Sequence, residues 1–426
     1  MTSRDAAPAG SGRALAAALS AGTTRLATVL AEYLSAIEAR EPELQTFAHL
    51  DRDAFLAGPR EKGPLAGLPV GVKDIIDTVD MPTACGSPIY ASRMPVSDAP
   101  VVSMVRRAGG TIAGKTVTTE FAAVNPGPTR NPHNPSHTPG GSSSGSAAAV
   151  AAGFLPFSIG TQTGGSIVRP ASFCGVAAIK PTIGLLPGFC VKGFSWTLDT
   201  IGLFARDVRD LAFFAEAITG QDLAVPEGEL SQPRFGIARL KVWDEMEPAM
   251  AEAVETACRT ASARGAAVTT LPVPAMFEDA HQAHYAIQDY ELARSLAYEF
   301  DNHQDLLSPK LRDMIRGGLA ISTETYVAAL ADGRAARFAS DALFAGTDVL
   351  IWPSASGAAP AGIEATGSPN QTRLWTLLGL PTVNVPGLAD ASGMPLGIQI
   401  VGRLGRDRDV LRAAAWLEDA LREEAR

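Results

Sequence analysis

Apolar residues recur at helical spacing at both ends of the chain. Between Thr24 and Ala39, apolar side chains return every three or four positions, which predicts an amphipathic helix packed on a core. The segment from Asp407 to Glu423 repeats the pattern and predicts a closing helix. By the same criterion, the long section from Glu247 to Ala345 is mostly helical.

Short apolar runs bounded by glycine or proline predict strands between these helices. The alanine-rich segment from Gly145 to Phe154 predicts a helix, and a further helix is expected to start near Ser166, after a loop from Gly160 to Gly165. Strands that alternate with helices are typical of an α/β fold, a sheet sandwiched by helices. The predicted strands are Leu65 to Ile76, Thr111 to Gly114, Leu155 to Ile159, Val349 to Trp352, Thr382 to Val385 and Leu396 to Val401.

The chain contains no linker-like run long enough to divide it into separate domains. Residues 1–12 are rich in Ala, Gly, Ser and Pro and predict a flexible tail. Residues 13–426 predict a single domain. At 46% apolar and 19% charged residues, the chain can form a substantial core.

Charge and cysteine usage narrow the class of protein. The net charge is −9 and no cluster of Lys and Arg is present, which argues against a nucleic-acid partner. The longest apolar run near the start, Ala14 to Leu19, is too short to span a membrane. The four cysteines form no CxxC pair, as is typical of reduced thiols in a cytosolic protein. We expect a cytoplasmic protein with no membrane partner.

Two glycine-serine turns flank the alanine-rich segment. Gly140-Gly141 precedes Ser142, and Gly164-Gly165 precedes Ser166. Because glycine loses the most conformational entropy on folding, such pairs are expected where the backbone needs a positive φ or a close approach. A lysine in the context Gly-Val-Lys-Asp, Lys73, stands upstream at or near the end of a predicted strand.

The segments GGSS, GTQTGGS, RPASFCG and KPT, together with GVKD, resemble the amidase signature family. The resemblance implies the family's mixed central β-sheet covered on both faces by helices. It implies a signature core over about residues 64–210 and a more variable, specificity-shaping helical section over about 247–345. It also implies a catalytic triad without cofactor or metal, in which Ser166 is the nucleophile, Ser142 the bridging serine and Lys73 the base.

The implied chemistry is acyl transfer through a serine ester. Serine is a poor nucleophile without a base, and lysine serves as one only when neutral, a form that burial favours. Lys73 would take a proton from Ser142 while Ser142 takes one from Ser166. The family further implies a cis peptide between Gly141 and Ser142, and Ser143 is expected to form hydrogen bonds that support the triad. The oxyanion would be held by backbone N–H groups of Thr163, Gly164, Gly165 and Ser166.

Two positions depart from the usual family pattern, which has Asp at the position of Gln162 and Arg two residues after the nucleophile. Here Arg169 follows Ser166 by three residues, and the segments from Ala286 to Phe300 and from Arg373 to Pro386 look most like malonamidases. We hypothesise that Arg169 binds a substrate carboxylate, the alternative being an arginine held by a protein carboxylate. Gln288 is expected to line the acyl pocket, unless it is simply a packed or solvated helix residue.

Other motifs in the chain favour a structural interpretation. Ser143 stands at the centre of a G-x-S-x-G pattern, but the residues before it read as loop and not as the strand that a nucleophile elbow requires. Lys115 is interpreted as structural and not as a second base. His133 and His137 lie four apart, yet flanking prolines deny them the helical geometry of a zinc site.

Three functions remain open on the sequence. The leading one is hydrolysis of the C–N bond in a small-molecule amide, including malonamate-type half-amides, by a homodimer. The first alternative is a carbamate or aryl-amide hydrolase with the same triad. The second is the amidase subunit of a multi-subunit amidotransferase.

Overall fold

The computed structural model describes residues 10–59 and 61–424. In this part of the chain, eleven strands form one sheet. The strands are β1 (Phe47–Leu50), β2 (Pro69–Lys73), β3 (Thr111–Thr116), β4 (Phe157–Gln162), β5 (Ala177–Lys180), β6 (Thr200–Ala205), β7 (Phe235–Ala238), β8 (Val268–Leu271), β9 (Val349–Pro353), β10 (Thr382–Ala389) and β11 (Pro395–Val401).

The sheet is mixed, as the family resemblance implies. Its order is β1-β3-β2-β4-β6-β5-β10-β11-β9-β7-β8. Strand β2 lies between β3 and β4 and is parallel to both, and β7 is parallel to β8 and β9. The remaining neighbours are antiparallel. The carboxyl end of β2, where Lys73 stands, is therefore flanked by strands on both sides.

Helices cover both faces of the sheet. The described helices are α1 (Gly12–Ser20), α2 (Leu26–Leu44), α3 (Arg52–Ala57), α4 (Pro100–Arg107), α5 (Ser144–Ala151), α6 (Val168–Cys174), α7 (Val208–Thr219), α8 (Pro248–Ala263), α9 (Met276–Ser295), α10 (Ala297–Asn302), α11 (Pro309–Leu319), α12 (Thr323–Phe338), α13 (Asn370–Leu377) and α14 (Asp407–Glu424). On one side α5 and α6 pack on each other and against β4 and β11, and on the other α7 and α14 pack on each other and against β6 and β10.

One predicted boundary near the glycine-serine turns is wrong. The strand expected over Leu155 to Ile159 is β4, which continues to Gln162 because it pairs along its length with β6, a strand that the pattern did not predict. Gly160 and Thr161 thus belong to the sheet and not to a loop. The loop between β4 and α6 is short and covers residues 163–167.

The N-terminal tail was predicted over residues 1–12, and its residues 1–9 lie outside the described part. Ser11 caps α1 by accepting a hydrogen bond from Ala14 N at 3.3 Å. No helix within the described ranges is long and apolar enough to cross a membrane.

Candidate active site

Lys73 is the last residue of β2 and is completely buried. Its Nζ donates to Ser142 Oγ at 2.7 Å and to Thr161 Oγ1, on the neighbouring strand β4, at 2.8 Å. Burial lowers the pKa of the Lys73 ammonium to about 7, and the nearby Arg169 contributes to this lowering, while the charge of Asp199 acts in the opposite direction. A substantial fraction of Lys73 is therefore neutral near pH 7 and able to accept a proton from Ser142.

A tight turn before α5 places Ser142 next to Lys73. The peptide between Gly141 and Ser142 is cis, and Gly140 has φ +81°, a conformation that favours glycine. A Cβ on Gly140 would lie 2.9 Å from Pro170 Cα, so the turn also requires close approach to α6. Gly140 therefore shows both features for which a glycine was expected, a positive φ and a close approach of the backbone.

Ser143 lies behind the catalytic groups and is fully buried. Its hydroxyl donates to Thr161 O at 3.2 Å and accepts from Thr161 N at 3.3 Å, and its own N–H donates to Ser166 O at 3.3 Å. The residues before it form a turn with no strand, so the nucleophile-elbow arrangement is absent from this segment. Ser143 thereby links the backbone of Thr161, whose side chain contacts Lys73, to the backbone of Ser166, the predicted nucleophile.

Replacing Ser143 by alanine is expected to destabilise the fold by about 1–3 kcal/mol, because the peptide groups of Thr161 lose a buried partner. Turnover should fall as well, since Thr161 Oγ1 positions Lys73 Nζ. Urea unfolding and kcat for an amide substrate measure the two effects. Ser144→Ala, whose hydroxyl donates to Val117 O at 3.3 Å, is the matched control. A Ser143→Ala enzyme with full kcat would exclude a supporting role.

Ser166 is in the loop between β4 and α6, and it is 8% exposed to a cavity of about 240 Å³. The loop is held by Gln162, whose Oε1 accepts from Ile167 N at 2.9 Å and Val168 N at 3.1 Å. Gln162 Nε2 donates to Thr376 Oγ1 at 2.9 Å. The amide thus supplies the acceptor for the loop without placing a negative charge beside Ser166.

Four consecutive backbone N–H groups, those predicted at Thr163, Gly164, Gly165 and Ser166, belong to buried residues that line the cavity, and they donate no hydrogen bond to any described residue. A backbone N–H without a protein acceptor in such a place is free to bind an acceptor from a ligand. Gly165 has no room for a side chain, because a Cβ there would lie 2.6 Å from Thr372 Oγ1. These donors are suited to hold the oxygen of a tetrahedral intermediate.

Asp199 is a residue that the sequence patterns did not single out. It accepts from Thr163 Oγ1 at 2.5 Å, from Phe194 N at 2.8 Å and from Ser195 N at 3.1 Å. Burial raises the pKa of its carboxyl, while these hydrogen bonds and the charge of Lys73 oppose the rise. No spacing rule relates Asp199 to Lys73, because the antiparallel pairing of β6 with β4 is what brings them near each other.

Arg169 is 5% exposed and lines the cavity. Its Nη1 donates to Gly367 O at 2.6 Å, and its Nη2 donates to Gly141 O at 2.5 Å and to Thr366 Oγ1 at 3.2 Å, whereas the buried Nε has no partner among the described residues. Burial lowers the pKa of the guanidinium to about 9, with a further contribution from the charge of Arg373. Arg169 forms no ion pair with any described carboxylate.

Gln288, on α9, lines the same cavity. Its Oε1 accepts from Arg373 Nη1 at 2.9 Å, and its Nε2 donates to Asp289 Oδ1 at 3.0 Å. Arg373, which the sequence analysis did not identify, is 7% exposed and likewise forms no ion pair with a described carboxylate. The cavity wall therefore contains two guanidinium groups and the carboxyl of Asp289, whose pKa is raised by burial.

The remaining candidates have contacts outside the cavity. Lys115 is buried and donates to Thr83 Oγ1 at 2.6 Å and to Ile76 O, which fits its structural interpretation. A ring nitrogen of His133 lies 3.0 Å from Cys174 O, and one of His137 lies 2.7 Å from Ala359 O. Each histidine thus contacts a backbone carbonyl and does not line the cavity.

Comparisons with known proteins identify the family of the chain. A family model described as amidase matches residues 23–411. The chain is 34% identical to a subunit of the glutamyl-tRNA(Gln) amidotransferase from Acidothermus cellulolyticus, over 96% of this chain and 94% of that protein.

Solved structures are similar over nearly the whole chain. A crystal structure of an amidase has a TM-score of 0.86 and 31% identity, covering 96% of this chain and 99% of its own. The native peptide amidase from Stenotrophomonas maltophilia has a TM-score of 0.81 and 27% identity, covering 97% of both chains. The chain therefore belongs to the amidase family and is a hydrolase that acts on amide C–N bonds.

Proposed function

We propose that the protein hydrolyses small amides whose acyl part carries a carboxylate, such as malonamate-type half-amides. The observation that carries this proposal is the pair of buried guanidinium groups, Arg169 and Arg373, in the wall of the cavity that contains Ser166. A buried cation without a carboxylate partner is costly, and a substrate anion would compensate it. The malonamidase-like segments of the sequence support the same substrate class.

In the proposed mechanism, neutral Lys73 accepts the proton of Ser142 Oγ as Ser142 accepts the proton of Ser166 Oγ. Ser166 Oγ attacks the amide carbonyl carbon, and the resulting oxyanion accepts hydrogen bonds from N–H groups of the set Thr163, Gly164, Gly165 and Ser166. The relay then returns the proton to the leaving nitrogen, so that ammonia departs and Ser166 carries the acyl group.

Water completes the cycle by the same proton path. It loses a proton to Ser142 and Lys73 while its oxygen attacks the ester carbon, and the ester oxygen of Ser166 recovers a proton as the acid leaves. Ser166 Oγ forms no hydrogen bond to a described residue. Contacts of this kind often tighten only when substrate is bound.

The test is ammonia release from malonamate and, in parallel, from neutral propionamide, with Ser166→Ala as the blank. The wild type should favour the acid by about tenfold or more, equivalent to about 1.4 kcal/mol in the barrier. Equal turnover of the two amides would contradict the proposed substrate class. Phenylcarbamate and anilide substrates in the same assay would then identify the carbamate or aryl-amide alternative.

Arg169→Gln is expected to lower the preference for malonamate over propionamide about tenfold, because the variant loses the guanidinium charge. Both absolute rates should also fall, since Arg169 Nη2 holds Gly141 O beside the bridging serine. The ratio of the two kcat/KM values is therefore the measurement. An unchanged ratio would mean that Arg169 only holds the turn before Ser142 and does not bind the substrate carboxylate.

A second candidate function is that of the amidase component in an amidotransferase, which the similarity to glutamyl-tRNA(Gln) amidotransferase subunits supports. Gel filtration of the purified chain, combined with the malonamate assay and a glutamine assay, separates the two functions. A homodimer that hydrolyses malonamate without other proteins fits the first. A chain that releases ammonia from glutamine only with added partner proteins fits the second.

A further inference from the structure

The carbonyl side of the loop before Ser166 is held by residues from two distant helices. His284 Nε2, on α9, lies 2.8 Å from Thr163 O. On α13, Thr372 Oγ1 and Thr376 Oγ1 donate to Gly164 O at 2.8 Å and 3.0 Å. None of these residues belongs to the triad, yet together they contact the two peptide groups whose nitrogens belong to Gly164 and Gly165.

The contacts of His284 determine its tautomer. Arg373 Nη1 lies 2.8 Å from His284 Nδ1, and because a guanidinium can only donate, Nδ1 must accept. The ring proton then resides on Nε2 and is donated to Thr163 O, which can only accept. Complete burial and the charge of Arg373 hold the pKa of His284 well below its usual value, in agreement with a neutral ring.

A trans peptide points its C=O and its N–H in opposite directions. The only cis bond in the described chain is Gly141–Ser142, so the Thr163–Gly164 peptide is trans. A hydrogen bond on Thr163 O therefore orients the N–H of Gly164 away from His284. It also polarises the peptide and strengthens that N–H as a donor.

We propose that His284, held in its Nε2–H tautomer by Arg373, is a positioning residue of the oxyanion hole that aims and polarises the Gly164 N–H. The inference rests on the proposed role of Ser166 as nucleophile. Gly164 lies beside the same groups, since a Cβ there would be in ordinary van der Waals contact with Gln288 Oε1 at 3.4 Å and Arg373 Nη1 at 3.8 Å. His284 acts through the peptide and does not touch the reacting atoms.

The test uses His284→Phe, which removes the donor, and His284→Gln, whose amide nitrogen can still donate to Thr163 O. Labelling of Ser166 by a fluorophosphonate is the main readout, because oxygen attack at phosphorus with loss of fluoride needs the oxyanion hole but no particular amide substrate. His284→Phe should slow labelling and lower kcat for malonamate about 100-fold, with KM and the pH midpoint unchanged. His284→Gln should recover at least about tenfold of the labelling rate.

His281 offers a matched control one turn earlier on α9. It is buried, and its Nε2 lies 3.0 Å from Asn370 O, a carbonyl outside the loop. His281→Phe should lower the melting temperature without slowing the labelling of Ser166. If His284→Phe does not fold, His284→Asn takes its place, because its shorter side chain can accept from Arg373 but does not reach Thr163 O.

Three results would overturn the inference: wild-type labelling rates in His284→Phe, equal losses in the His281 and His284 variants, or no recovery in His284→Gln. Absence of labelling at Ser166 in the wild type would overturn it too. A wild type that is labelled at Ser166 but hydrolyses neither malonamate nor propionamide would contradict the proposed substrate class alone.

Discussion

Replacing Ser166 by alanine is expected to reduce kcat for amide hydrolysis by about 10⁶-fold, to the level of buffer without enzyme, because no other oxygen can form the acyl-enzyme. The fold should persist, since the Ser166 hydroxyl makes no hydrogen bond to a described residue. Ser143 cannot substitute as nucleophile, because its hydroxyl is fully buried and both donates to and accepts from Thr161.

The measurement is ammonia release together with the intact mass of acid-quenched enzyme. The wild type should show a mass increase equal to the acyl group, and Ser166→Ala should show none. Ser172→Ala is the control, because its hydroxyl contacts Gly397 N at 2.9 Å, outside the loop. Turnover by Ser166→Ala above about one per cent of the wild type would exclude Ser166 as the nucleophile.

Lys73→Met is expected to lower kcat/KM by about 10²- to 10⁴-fold, the usual contribution of a general base. The shape of the pH profile should change as well. Lys73 is active when neutral and has its pKa lowered to about 7, so wild-type kcat/KM should fall about tenfold per pH unit below pH 7 and level off above it. In the Lys73→Met variant this acid limb should disappear.

The check is a kcat/KM profile from about pH 5 to pH 9 for both enzymes, with folding monitored by circular dichroism. Lys115→Met provides the comparison, since Lys115 is also a buried lysine on a strand paired with β2. That variant should lose stability yet keep the acid limb in the protein that remains folded. An acid limb that persists in Lys73→Met would assign the titration to another group.

The apolar pattern predicts best those parts of the fold that carry their own boundary signals. The core of β2, most of β3, β9 and β11, and helices α2 and α14 lie where spacing and flanking Gly or Pro place them. Five strands, β1, β5, β6, β7 and β8, were missed, since short runs such as Ala177–Lys180 resemble helix or loop equally well. The strand conformation of β5 and β6, for example, comes from pairing with each other and with β4 and β10, which no local window contains.

The residues of the candidate site were likewise predicted only where a local motif contains them. Lys73, Ser142 and Ser166 were identified because they stand in glycine-containing motifs that can be recognised in the sequence alone. Asp199 and His284 were not predicted, because only sheet pairing or helix packing brings them to the loop and they lie far from it along the chain. The departure at Gln162 was visible, but its role as the acceptor for two loop N–H groups required the structure.

The hydrogen bond from Arg169 to Gly141 O restricts how substrate preference can evolve in this scaffold. One side chain supports the turn of the bridging serine and also supplies charge to the cavity, so a mutation that removes the charge also weakens the turn. Divergence toward neutral substrates is thus penalised at position 169. Val124 and Met314 line the cavity with apolar side chains that carry no charge and hold no part of the turn by a hydrogen bond, and they are the more accessible starting points for directed evolution of acyl selectivity.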